Sequence, residues 1–84
     1  MSFERGCVVR STAGRDKDRL LAVTKVLPNG LEVCDGKERK LQKPKIKNPK
    51  HVEQTRFTVT ESELAFDSRL RKALNRISDD TASL

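Results

Sequence analysis

Apolar and polar residues alternate over Gly6-Cys7-Val8-Val9-Arg10-Ser11 and again over Leu20-Leu21-Ala22-Val23-Thr24-Lys25-Val26-Leu27. A period of two sends neighbouring side chains to opposite faces, so both runs predict half-buried β-strands. Between them lies Thr12 to Arg19, a loop with three cations, two carboxylates and Gly14, whose backbone accepts the positive φ of a tight turn. Pro28-Asn29-Gly30 follows the second run, and Asn-Gly between apolar segments predicts a hairpin into a third strand, Leu31 to Cys34. Asp35-Gly36 then predicts a turn into a fourth strand, Glu38 to Leu41. Pro44 and Pro49 each lack an amide donor and restrict the residue before them, so Lys43 to Pro49 reads as an extended rim loop. His51 to Thr55 reads as a short closing strand.

The last third changes period. Thr60-Glu61-Ser62-Glu63 has the form of a capping box, and Phe66, Leu70, Ala73, Leu74 and Ile77 recur at helical spacing beyond it. Acidic residues at the start and basic residues near the end of this segment would complement the helix dipole. The apolar stripe is expected to pack on the strands, because so small a barrel needs more buried area. The sequence therefore divides into a barrel over residues 1–57, a packed helix over 58–78 and a polar, aperiodic tail over 79–84 expected to fray.

Composition narrows the function classes. With 84 residues and 35% apolar content the chain supports one domain with one thin core. Met1 to Arg5 lacks the apolar stretch of a secretion signal and no run is long enough to cross a bilayer, so a soluble cytoplasmic protein is expected. Cys7 and Cys34 do not form a C-x-x-C unit; both are expected to be reduced, buried small hydrophobes. His51, the only histidine, has no cysteine or carboxylate pair at metal-ligand spacing, and reads as a strand-end residue. No phosphate-binding glycine fingerprint is present. These absences lead us to expect no catalytic residue, no metal and no cofactor.

Charge is concentrated in one segment. Met1 to Gly36 holds 6 Lys/Arg against 5 Asp/Glu, and Phe57 to Leu84 holds 4 against 5. Lys37 to Arg56 holds 8 against 2, and so carries +6 while the flanks cancel. One lysine suffices to protect a sheet edge; the accumulation of Lys37, Arg39, Lys40, Lys43, Lys45, Lys47 and Lys50 instead predicts a surface facing a polyanion. Arg15, Lys17 and Arg19 of the first loop are expected to act beside it, with Gly14 and Asp16 shaping that loop. Tyr and Trp are absent and Phe66 belongs to the helical stripe, so stacking of single-stranded bases is not the expected mode; phosphates and 2′-hydroxyls of structured RNA are.

A glycine opening a short strand, a Gly14-Arg15-Asp16-Lys17 turn and a long apolar strand together resemble the KOW motif of large-subunit ribosomal proteins and transcription elongation factors. The resemblance covers roughly residues 3 to 27. It extends more loosely through Asp35-Gly36, Arg39-Lys40-Leu41, Pro44-Lys45, Lys47 and Lys50-His51, in the manner of short bacterial KOW-containing RNA-binding proteins. Asp18 stands where that family often has a second turn glycine, and Asp tolerates left-handed backbone better than most residues. The resemblance implies a mostly β fold, a small SH3-like barrel of about five strands with one C-terminal α-helix. It further implies a non-enzymatic role in binding ribosomal RNA, on the ribosome or during its assembly, with ribosomal proteins as further neighbours. The other reading is an adaptor barrel docking on an acidic protein surface of the transcription or translation machinery; DNA phosphates would attract the same lysines.

Overall fold

The computed structural model describes residues 3–82. It is mostly β with one C-terminal helix: β1 (Cys7–Ser11), β2 (Leu20–Leu27), β3 (Gly30–Cys34), β4 (Lys45–Lys47), β5 (Val52–Thr58) and α1 (Asp67–Ala82). A single 3₁₀ turn, Pro49–His51, leads into β5. The strands form one antiparallel sheet in the order β4-β3-β2-β1-β5.

Two cores follow from the period of two. Val9, Leu21, Val23, Leu31, Val33 and Val52 point to one face, with Cys7 beside them and Phe3 packed against the cluster. Val8, Ala22 and Cys34, paired with one another across β1, β2 and β3, form a row on the opposite face. That row lies against Leu70, Ala73, Leu74 and Ile77 of α1, together with Val59 and Leu64. Val9, Leu21, Val23 and Val33 are 0% exposed although the helix covers the other face. Only a sheet curled onto itself seals them, so the architecture is a small barrel-like sheet with a helix on its outside. Register shifts between Cys7 and Val9 and between Val23 and Lys25 supply bends of the kind a curled sheet needs.

Four sequence expectations need correction. Glu38 to Leu41 is not a strand, because its amides are taken by carboxylates: Asp35 Oδ1 accepts from the Lys37 and Arg39 amides at 2.8 Å each, and Asp67 Oδ1 from the Leu41 amide at 2.8 Å. The fourth strand is instead Lys45–Lys47, inside the segment expected to be a rim loop; it is three residues long, between two prolines and at a sheet edge, where proline is tolerated. The β2–β3 hairpin turns on Pro28-Asn29 with Leu27 facing Gly30, and Gly30 has no positive φ. Glycine fits there for space, since a Cβ would lie 2.8 Å from Ile46 Cγ2.

The fourth correction concerns the helix. The capping box forms, with the Thr60 amide donating to Glu63 Oε1 at 2.9 Å and the Glu63 amide to Thr60 Oγ1 at 3.1 Å, but it caps one turn ending near Leu64. Six residues at 3.6 per turn would set Leu64 and Leu70 roughly 120° apart on a continuous helix. Breaking the chain before Asp67 buries both. Phe66 consequently leaves the stripe and is 56% exposed, with the Arg69 guanidinium 4.8 Å from its ring centroid. The helix also runs through Asp79 and Asp80 to Ala82, so its last turn carries no basic residue and residues 79–82, expected to fray, are helical; residues 83–84 lie outside the described residues. No helix among the described residues is long and apolar enough to cross a membrane.

Candidate nucleic-acid interface

The β1–β2 loop is built from the backbone outward. Ser11 donates its amide to the Arg19 carbonyl at 2.9 Å and Asp18 donates to the Ser11 carbonyl at 2.8 Å, which closes the loop at its base. Gly14 adopts φ 87° and Asp18 φ 72°, so the left-handed positions of the loop fall on the expected glycine and on an aspartate, which tolerates that backbone better than most residues. Arg15 and Lys17 at the tip are exposed.

Asp16 holds the loop from within. Its Oδ1 accepts from Ser11 Oγ at 2.9 Å and from Lys47 Nζ at 2.7 Å, while Lys45 Nζ lies 3.7 Å from Oδ2. Lys47 Nζ also donates to the Ala13 carbonyl at 2.8 Å. Burial alone would raise the Asp16 pKa. The hydrogen bonds from Lys47 and Ser11 and the charges of both lysines outweigh it, and hold the carboxyl at about 2. Asp16 bonds within the loop through its backbone carbonyl, which accepts from the Arg19 amide at 2.9 Å, as well as through its side chain.

This arrangement turns Lys47 away from the exposed cationic surface. It is 6% exposed, and its ammonium is committed to the fold. Lys45 is half-buried beside it. The reason is register: Lys45 faces Val33 and Lys47 faces Leu31, both interior residues, so the two lysine stems cover the barrel rim while Ile46 between them is 53% exposed.

The remaining eight cations proposed from sequence, Arg15, Lys17, Arg19, Lys37, Arg39, Lys40, Lys43 and Lys50, are all exposed. Three sets of contacts join the loop to the segments that carry them. Arg19 Nη1 meets Glu38 Oε2 at 2.7 Å, which brings in the Asp35–Lys40 turn. The Asp16 pairs bring in β4, and the Thr12 amide bonded to the His51 carbonyl at 2.9 Å brings in the turn with Lys50. The two basic regions, separated in sequence, therefore share one end of the barrel.

Sequence reasoning missed Arg71. Its segment is balanced in charge, but α1 carries it to a cleft of about 320 Å³ that Arg19 and Lys37 also line. Gly36 makes that approach possible: its φ is 76°, and a Cβ there would lie 2.3 Å from the Asp67 carbonyl oxygen.

Cys7 and Cys34 are free thiols, both buried. Burial, with the Glu32 charge adding to it, pushes the Cys34 thiol up to about 11. Among the described residues no group of three or more His, Cys, Asp or Glu is placed to hold a metal ion. No protein-family model and no curated protein matches the chain.

Proposed function

We propose that this protein binds structured RNA through the cationic end of its barrel, without chemistry on the RNA, and that the RNA is ribosomal, met in the cytoplasm on the ribosome or during its assembly. One observation carries the reading: the β1–β2 loop and the Lys37–Lys50 segment, which bear eight exposed Lys and Arg, are tied to each other by Arg19–Glu38, Asp16–Lys47 and Thr12–His51. A polyanion can meet them as one surface. The choice of ribosomal RNA rests on the resemblance of residues 3 to 27 to the KOW motif. The exposed Arg19–Glu38 pair costs little to open, so a phosphate can compete for Arg19.

Affinity for a folded ribosomal RNA fragment should fall with salt along a log-log slope of about −3 to −6, as four to seven phosphate contacts require. Reversing exposed Lys37, Lys40 and Lys43 to Glu should flatten that slope and weaken binding to many folded RNAs alike, with helix content unchanged. Weak, non-saturating binding by the parent protein, with loss of a co-purifying protein on the same reversal in nuclease-treated lysate, would assign the surface to an acidic protein instead.

A further inference from the structure

Two of the ion pairs that hold the β1–β2 loop differ in kind. Asp16–Lys47 joins side chains 10% and 6% exposed, whereas Arg19–Glu38 joins side chains 44% and 59% exposed at 2.7 Å. Breaking a buried pair strands a charge away from water; breaking an exposed one returns both partners to it. The first pair is therefore a fixed brace, and the second can be exchanged. Backbone bonds set both ends of the exposed pair. The Arg19 amide donates to the Asp16 carbonyl at 2.9 Å, and the Arg19 carbonyl accepts from the Ser11 amide at 2.9 Å. Glu38 stands between Lys37 and Arg39, whose amides both donate to Asp35 Oδ1 at 2.8 Å. The other carboxylate of the basic segment, Glu53, pairs with Arg10, its partner in strand register, so that pair follows from the sheet. Arg19–Glu38 has no such cause. It joins two turns, and it sets a carboxylate with Lys37, Arg39 and Lys40 beside it in the chain onto an arginine of the other basic region.

We propose that Glu38 is an internal competitor for Arg19: its carboxylate takes the place of one RNA phosphate, and Arg19 becomes a contact only for a ligand that displaces it. The inference rests on the RNA-binding reading above and names what regulates one contact of that surface. A carboxylate and a phosphodiester each carry one negative charge and accept from the same guanidinium donors, so a lone anion gains little by the exchange. A folded RNA already held by Lys37, Arg39 and Lys40 offers its next phosphate from within the complex, at high effective concentration, and displaces Glu38. Arg19 thus engages after its neighbours, and part of the energy of its contact is spent on opening the pair.

The test follows binding of a folded ribosomal RNA fragment by fluorescence anisotropy at one salt concentration, with circular dichroism confirming the helix content of each variant. Glu38→Gln should tighten binding about two- to fivefold, the worth of an exposed ion pair expressed as affinity. Glu61→Gln makes the same change in charge beside Arg5, which precedes β1 at the end of that strand away from the loop, and should give a clearly smaller gain. In an Arg19→Gln background, Glu38→Gln should gain no more than Glu61→Gln does, because nothing is left to compete for. A Glu38→Gln gain no larger than that of Glu61→Gln would overturn the proposal. So would a gain that persists without Arg19, which means plain repulsion of phosphate, or weaker binding by Glu38→Gln, which means that the pair braces the loop. Each of these leaves the RNA-binding reading standing; RNA binding by neither the parent nor Glu38→Gln would overturn both.

Discussion

Replacing Lys47 with Met keeps the unbranched stem that covers the barrel rim and removes only the ammonium. Asp16 would then sit at 7% exposure with Ser11 Oγ as its hydrogen-bond donor and Lys45 3.7 Å away as its only cation. Removing one partner of a buried pair costs about 3 to 5 kcal/mol. The remaining Lys45 favours the low end, about 3 kcal/mol. A urea m-value of about 1 kcal/mol per molar turns that into a midpoint lower by roughly 3 M. Far-ultraviolet circular dichroism is the suitable signal, because the chain has no Trp or Tyr. Lys43→Met, at an exposed position, should change stability by no more than about 0.5 kcal/mol. Asp16→Asn combined with Lys47→Met should cost less than the sum of the single changes. Acid adds an independent check. The Asp16 carboxyl titrates lower in the fold, at about 2, than its ordinary 3.8, so its stabilisation is complete above pH 4 and is lost as pH falls towards 2. That loss amounts to about 2 kcal/mol. Glu61, held low by the Arg5 hydrogen bond, and Glu63, held low by the Thr60 amide, titrate in the same direction. The Asp16 share is therefore read as the difference between the parent and Asp16→Asn. A Lys47→Met protein within about 0.5 kcal/mol of the parent, with the same acid profile, would refute this account of the loop.

Gly36→Ala should destabilise by about 3 kcal/mol in urea titration, because the new Cβ meets the Asp67 carbonyl oxygen as well as an unfavourable φ. Gly14→Val meets its nearest neighbours at 3.5 Å and pays mainly for backbone strain, so about 1 to 2 kcal/mol is expected, together with weaker RNA binding; Arg15→Ala should weaken binding alone. Cys34 should resist iodoacetamide until the protein unfolds, since its thiol titrates near 11 and is buried. Changing both cysteines to Ala should cost on the order of 1 to 3 kcal/mol and leave RNA affinity unchanged.

The parts of the fold that were legible in the sequence are those decided by local periodicity. β1, β2 and β3 alternate because one face fills the barrel and the other lies under α1, and Leu70, Ala73, Leu74 and Ile77 repeat because one helix face meets that row. The errors came where side chains compete for backbone amides or where distant packing sets a break. Asp35 and Asp67 claim the amides of residues 37, 39 and 41, a competition that a propensity reading of Glu38 to Leu41 does not see. The break before Asp67 exists to bury Leu64 and Leu70 together, which depends on the barrel surface rather than on the segment itself.

The cationic site shows the same division at the level of function. Charge density located the basic segment, but charge counts treat every lysine alike, whereas sheet register sorts them. Lys45 and Lys47 stand opposite Val33 and Leu31 and turn inward; Lys43 and Lys50, just outside the strand, turn to solvent. The inward pair is what gives the outward set its geometry. Asp16, bonded to Lys47, fixes the loop that carries Arg15 and Lys17 against β4, so the fold itself sets where that loop lies. A surface ordered in this way loses less conformational entropy on binding than free lysines would. It follows that Lys47→Met should weaken RNA binding despite touching no RNA, and should do so without changing the salt slope, because the number of phosphate contacts is unchanged while the loop that presents them is loosened. A reduced slope in that variant would return Lys47 to the contact surface and contradict its burial.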